Sequence, residues 1–268
     1  MFVLLGHHRS GTSFVNSVVR AHPEVESINE PLSQHLDAFR DADMVVWETT
    51  DCGSDGLPAA IAPRSAAADF LFDLRRWLSA EGASRRGFKE TCLFEKLGWL
   101  HGYLGVTPGA LLVRDPRAVV ASVIKRDLDR SWWAYSERLA RWVGAGGQLS
   151  KPVDFDDRVA VCAAVWALRT VRGLDHARLR QWPVLRLEDL FVDRHRYLAT
   201  LMGQLELPVH PQQIAFIEES WSETLGGTYS YRRAPESVLE EWKETLTDED
   251  RRTIELYARA PMQELGYL

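Results

Sequence analysis

The sequence predicts an α/β fold, a single domain over residues 1–268 built on a central parallel sheet of about four or five strands flanked by helices. Three observations predict it. First, the apolar run Phe2-Val3-Leu4-Leu5 reads as a buried parallel strand. It crosses a glycine-bounded polar loop, Gly6 to Ser13, and enters Phe14-Val15-Asn16-Ser17-Val18-Val19, whose apolar residues mark one face of a helix. Second, Gly109-Ala110-Leu111-Leu112-Val113 is another buried-strand run, and it too passes directly into an apolar helix. Third, no composition break or linker divides the 268 residues, a length sufficient for one full core.

The N-terminal unit carries chemistry as well as fold. Its loop aims backbone N–H groups and the positive end of the helix dipole at one point. Ser10, Gly11, Thr12 and Ser13 supply donors there, and Arg9 supplies a charge. An anion is the expected occupant; a glycine turn with solvated hydroxyls is the plainer alternative. The spacing Gly6-x4-Gly11-Thr12-Ser13 overlays the triphosphate loop G-x-x-x-x-G-K-[ST], but Thr12 stands where the lysine belongs. An ATP-using kinase thereby loses its central charge.

Composition narrows the partners. The net charge of −6 advertises no basic face for nucleic acid, so any phosphate binding is local. Cys52, Cys92 and Cys162, odd in number and widely spaced, form neither a disulfide framework nor a metal pattern, which fits a reducing compartment. A core strand beginning at Phe2 leaves no room for a leader, and no apolar run approaches the roughly 18 residues of a membrane span. A cytoplasmic protein is expected.

After the first helix, Ala21-His22-Pro23 closes a turn. Glu24 to Ile28 reads as a short strand ending at Asn29-Glu30-Pro31. Ligands of open parallel sheets bind beyond the carboxyl ends of strands, so Glu30 belongs near the loop as a general-base candidate; a surface or helix-terminal charge is the alternative. Residues 35–65 are polar and poorly periodic, an insertion or lid and not core. Ala66 to Ala80 is an amphipathic helix, and Arg85-Arg86-Gly87 a basic turn before Phe88-Lys89-Glu90-Thr91. Lys89, at a strand end, is a second cation facing the loop or simply a solvated lysine.

Leu93 to Leu104 reads as a helix. After the strand at Gly109 to Val113, Asp115 fits a helix cap and Pro116 the first helical position. Arg114, Ser122 and Arg126 gather on one side of that helix, Ser122 and Arg126 being four apart, to form a second anion site. Trp132, Trp133, Tyr135 and Trp142 line an acceptor pocket or belong to core or lid. Val159 to Val171 is a buried helix, Pro183 to Leu190 the last core strand and its exit, and Tyr197 to Leu205 a helix. Arg232 and Arg233 sit in a basic, glycine-bearing loop. Leu246 to Asp250 caps a final helix from Arg251 to Ala260.

The pair of motifs resembles a known family. Arg9-Ser10-Gly11-Thr12-Ser13, followed after a later strand by Arg114-Asp115-Pro116-Arg117-Ala118 and Ser122, is similar to the 5′- and 3′-phosphate motifs of sulfotransferases that use 3′-phosphoadenosine 5′-phosphosulfate (PAPS). The order R-S-G-T-S, then Ala21-His22-Pro23-Glu24-Val25, then Glu30 resembles the branch of tyrosylprotein and carbohydrate sulfotransferases, whose base is a glutamate in that place. By its distance ahead of Arg114, Lys89 matches the lysine that contacts the transferring sulfonate. The K-T-H segment of cytosolic small-molecule sulfotransferases is Lys89-Glu90-Thr91 here, with no histidine. The family's V-x-Y-E-D-L element has Leu187 in place of the tyrosine near the adenine, and the loop of Arg232 and Arg233 resembles the one that closes over the 3′-phosphate.

The resemblance implies sulfonate transfer from PAPS, leaving adenosine 3′,5′-bisphosphate. Glu30, Lys89 and Arg9 are the implied catalytic residues. Arg9 to Ser13 hold the 5′-phosphate, and Arg114, Ser122, Arg126, Arg232 and Arg233 the 3′ side. No metal is required by that chemistry. A small-molecule acceptor is expected, with residues 35–80 and 130–160 supplying its site or lid. A nucleotide-dependent kinase and a non-catalytic nucleotide-binding protein are the alternatives.

Overall fold

The structure is a computed structural model. It describes residues 1–33, 36–42, 44, 61–82, 84–105, 108–125, 136–137, 139–140, 143, 151–222 and 235–268. Contacts divide it into two compact units: Met1–Leu112 with Gly173–Ile217, and Val113–Arg172 with Glu218–Leu268.

The first unit holds a five-stranded, all-parallel sheet in the order β2-β3-β1-β4-β5. Its strands are β1 (Phe2–Gly6), β2 (Val25–Asn29), β3 (Arg85–Glu90), β4 (Gly109–Val113) and β5 (Val184–Arg186). β1 and β4 are buried along their whole length, as continuous apolar strands covered on both faces must be. The register sets Leu4 of β1 opposite Lys89 of β3, and Asn29 of β2 opposite the same Lys89.

Helix α1 (Thr12–Arg20) packs on the sheet through Phe14, Val15, Val18 and Val19. Each such buried side chain contributes roughly 1.5–3 kcal/mol. Two polar pins orient the helix. Ser27 Oγ donates to Asn16 Oδ1 at 2.6 Å, and Gln213 Nε2, from a later helix, donates to Val18 O at 3.2 Å.

Several local expectations change. Arg85 to Gly87 begin β3 and are not a turn, because pairing with β2 accommodates the charges: Arg86 Nε meets Glu26 Oε2 at 3.2 Å across the ladder, and Arg85 meets Glu206 at 2.8 Å. The described parts of 35–65 are not all peripheral. Phe39, on the short helix α2 (Asp37–Asp41), and Met44 are fully buried. The Phe39 ring meets Phe70 edge-on at 6.1 Å, on helix α3 (Ala66–Ser79), whose cap is Ser65. The segment expected as one helix from Leu93 starts with a 3₁₀ turn, Phe94–Lys96, before α4 (Leu97–Leu104).

The second unit contains α5 (Pro116–Ile124), most of α6 (Arg158–Arg180), α10 (Pro235–Thr245) and α11 (Asp248–Glu264). Asp115 caps α5 by accepting from Arg117 N at 2.8 Å. The Arg117 guanidinium stacks on Trp242 of α10 at 4.6 Å and also donates to Tyr267 O. The final helix runs past its expected end. A capping box of Thr247 and Asp250 starts it at Asp248, and it continues through Pro261 to Glu264. Back in the first unit, β5 is only three residues long. Leu187 to Leu190, expected as the strand's exit, start helix α7 (Leu187–Val192). Helix α8 (Arg194–Gln204) starts three residues before Tyr197, capped by Asp193, and α9 (Pro211–Ser222) follows.

Candidate active site

The loop after β1 has the geometry that its sequence demands. Gly11 is the N-cap of α1 in the left-handed region, φ 74°, and, being glycine, offers the first N–H groups of α1 no capping side chain. A Cβ on Gly6 would lie 2.4 Å from Thr12 Cγ2 and 2.7 Å from Leu112 O, which makes glycine obligatory at that close approach. Ser10 is 1 % exposed, and its hydroxyl has no hydrogen-bond partner among the described residues. A buried donor without a partner is costly unless a ligand completes it. Thr12 is buried, Ser13 exposed and Arg9 half-buried. Arg9 itself has φ 69°, a left-handed backbone in a non-glycine residue.

Leu187 packs against this loop. A Cβ on Gly11 would come within 2.7 Å of Leu187 Cδ1, so the residue standing where the family pattern has a tyrosine is a buried wall of this loop.

Glu30 and Lys89 come together at the carboxyl ends of the paired strands β2 and β3. Glu30 N donates to Lys89 O at 2.8 Å, and Lys89 Nζ donates to Glu30 Oε1 at 2.5 Å. Lys89 is fully buried, so the solvated reading does not hold for it. Glu30 also has positive φ, 50°, which turns its side chain back toward the neighbouring strand end. Burial acts to raise the Glu30 carboxyl. The Lys89 ammonium, through charge and hydrogen bond, outweighs it with help from His8 and Thr91, and the carboxyl lies below its ordinary value. At neutral pH it is ionised.

Four further residues complete the cluster, and none was singled out by sequence reasoning. Thr91 Oγ1 donates to Glu30 Oε1 at 3.2 Å and lies 2.9 Å from His8 Nε2; Cys92 Sγ is 3.6 Å from the same nitrogen. His8 thereby ties the loop after β1 to the end of β3. Glu90, fully buried, accepts from Thr91 N at 2.9 Å and from Leu32 N at 3.1 Å, which clamps the turn carrying Glu30. Burial raises its carboxyl well above the ordinary value, with Cys92 and Glu30 adding to the effect. The available signal was the segment Glu90-Thr91-Cys92 itself, three chemically capable residues directly after the lysine.

The second motif lies in the second unit. Arg114 precedes α5 and donates from Nη2 to Val238 O of α10 at 2.5 Å; Ser122, half-buried, is on α5. Arg126, Arg232, Arg233, Trp132, Trp133, Tyr135 and Trp142 lie outside the described residues. Among the described residues no helix is long and apolar enough to cross a membrane.

Sheet order and loop define an α/β protein of the strand–loop–helix class. More narrowly, the fold is that of sulfotransferase domains. The sulfotransferase domain from the curacin biosynthetic pathway matches over 100 % of this chain and 98 % of its own, with TM-score 0.54 and 13 % identity. The sulfotransferase domain from the Synechococcus PCC 7002 olefin synthase matches over 96 % and 94 %, with TM-score 0.55 and 15 % identity. No protein-family model and no curated protein matches the sequence.

Proposed function

We propose that this chain is a sulfotransferase that moves the sulfonate of PAPS to a hydroxyl of a small-molecule acceptor (a sugar, a lipid or a secondary-metabolite alcohol), with Glu30 as general base. The observation that carries this reading is the ionised Glu30 carboxylate held on a fully buried Lys89. The pair is tied through Thr91 and His8 to a loop with a partnerless buried donor. The motif order of the tyrosylprotein and carbohydrate branch supports the assignment of Glu30. The free thiols of Cys92 and Cys162 fit a reducing cytoplasm.

PAPS would supply an activated sulfonate on a phosphosulfate anhydride. The loop fits its 5′-phosphate: Ser10 Oγ, the hydroxyls of Thr12 and Ser13 and the first N–H groups of α1 are the donors, and Arg9 brings charge. Arg114 and Ser122 are assigned to the 3′-phosphate by the motif they share with the family. Lys89 and Arg9 stabilise the negative charge that grows on the sulfonate and bridging oxygens. Glu30 accepts the acceptor's hydroxyl proton, a contribution of about 10²- to 10⁴-fold. As the Lys89 ammonium turns to an incoming anion its hold on Glu30 weakens, and burial then makes that carboxylate more basic when a base is needed.

A thermal-shift series tests the reading. At about 100 times Kd, adenosine 3′,5′-bisphosphate adds roughly 2.7 kcal/mol and raises Tm by about 5–10 °C. Adenosine 5′-monophosphate does so less at equal concentration, and Arg114→Ala removes the difference. Stabilisation by ATP with Mg²⁺ and not by the bisphosphate would overturn the reading in favour of a kinase.

A further inference from the structure

We infer that His8 is the terminal proton acceptor of this site, receiving through the Thr91 hydroxyl the proton that Glu30 removes from the acceptor. The inference rests on the sulfotransferase reading above. It starts from the chain of contacts Glu30 Oε1, Thr91 Oγ1 at 3.2 Å, and His8 Nε2 at 2.9 Å from that hydroxyl. A hydroxyl that touches a carboxylate on one side and an imidazole nitrogen on the other conducts a proton by accepting one and releasing its own.

The step balances. The acceptor's O–H bond breaks and the proton bonds to a Glu30 oxygen. While Glu30 is ionised the Thr91 hydroxyl donates to it. Once Glu30 is protonated its O–H donates to Thr91 Oγ1, the hydroxyl turns to His8, its original proton passes to His8 Nε2, and the products are a Glu30 carboxylate and a His8 imidazolium. His8 is half-buried with its Nδ1 enclosed, so the proton leaves again from Nε2 once the product has gone. The imidazole tautomer with its proton on Nδ1 is the one that leaves Nε2 able to accept.

The surroundings favour this direction of transfer. When the Lys89 ammonium returns to Glu30 after transfer, the carboxyl again lies below its ordinary value and is a poor place to store the proton, and Thr91 offers that proton a path to the His8 imidazole. The imidazolium gains from the restored Glu30 carboxylate. Among the described residues, the titratable and charged groups near His8 include His7 and Arg9 on its own loop, Glu30 after β2, and Lys89, Glu90 and Cys92 at the end of β3. Glu90, whose carboxyl burial raises well above its ordinary value, is disfavoured as a second negative charge, and Cys92 Sγ also lies 3.6 Å from Nε2.

The test is a pH titration of the full chain carrying ¹⁵N-labelled histidine, with the His8 signals assigned by their loss in His8→Asn. In Glu30→Gln the His8 titration curve moves to lower pH, because the imidazolium loses its carboxylate. Thr91→Val removes the hydrogen-bond signature at Nε2, and Thr91→Ser retains it. Curves and Nε2 signals that are the same in wild type, Glu30→Gln and Thr91→Val overturn the relay, whatever the activity. Coupling of His8 to Glu30 in a protein that adenosine 3′,5′-bisphosphate fails to stabilise leaves the chain of contacts standing but overturns the sulfotransferase reading and, with it, the relay. With any acceptor that wild type sulfonates, His8→Asn lowers kcat by about 10- to 100-fold, leaves KM in place and flattens the acid limb of the pH profile; an unaltered kcat and limb would overturn the inference.

Discussion

Glu30 Oε1 and Lys89 Nζ lie 2.5 Å apart, one at the end of each of two hydrogen-bonded parallel strands, with the backbone N–H of Glu30 on the carbonyl of Lys89. The contact follows from register. Asn29 faces Lys89 across the β2–β3 ladder, so the next residue of β2 emerges beside the lysine. A left-handed φ at Glu30 then brings the side chain round to meet it.

Lys89→Met leaves a largely buried carboxylate without its cation. Stability at pH 7, measured by urea unfolding, falls by about 3–5 kcal/mol, as for other broken buried pairs. The sign with pH follows from the lowered Glu30 value: its contribution is present above the unfolded carboxylate value and is lost as pH falls through the folded one. The gap between wild type and Lys89→Met therefore narrows on acidification. A constant gap from pH 7 to pH 3 would count against the pair as its source.

Glu90 has the opposite sign. Its folded value is raised, so its contribution is complete below the unfolded carboxylate value and is lost as pH rises through the folded one. Glu90→Gln loses one acceptor for the backbone N–H groups of Leu32 and Thr91, costing about 1–3 kcal/mol at acid pH. The variant does not share the wild type's decline, so melting temperatures of the two converge as pH rises from about 4 to 8. Divergence over that range would show that Glu90 is charged in the native protein.

The loop is tested from both of its glycines. Gly6→Ala forces a methyl against Thr12 and the Leu112 carbonyl and destabilises by about 1–3 kcal/mol. Leu187→Ala removes the wall behind Gly11 and costs about 2–5 kcal/mol, with weaker binding of adenosine 3′,5′-bisphosphate. Differential scanning calorimetry with and without the nucleotide reads both effects, and an unchanged Tm in Gly6→Ala would contradict the close approach.

Glu30→Gln lowers kcat for sulfonate transfer by about 10²- to 10⁴-fold and leaves nucleotide binding in place. Steady-state rates beside isothermal titration with adenosine 3′,5′-bisphosphate separate the two. A variant with near wild-type kcat rules out Glu30 as the base.

What the sequence by itself determined is what local pattern encodes. Phe2 to Leu5 and Gly109 to Val113 declare buried parallel strands because unbroken apolar runs bounded by glycine have few other places in a fold, and Asp115 with Pro116 declares a helix start. The R-S-G-T-S loop is legible because its shape is local: Gly11 takes the left-handed conformation directly before α1. Only the tertiary structure decided the rest. A lone lysine reads as solvated until β1 and β2 flank it and bury Lys89 completely, and Arg85 and Arg86 read as a turn until Glu26 and Glu206 arrive to pair them. His8 and Thr91, 83 residues apart in the chain, acquire a shared role when parallel pairing of β1 with β3 sets the ends of the two strands side by side. Cross-strand register brings distant residues into contact, and no one-dimensional spacing records it.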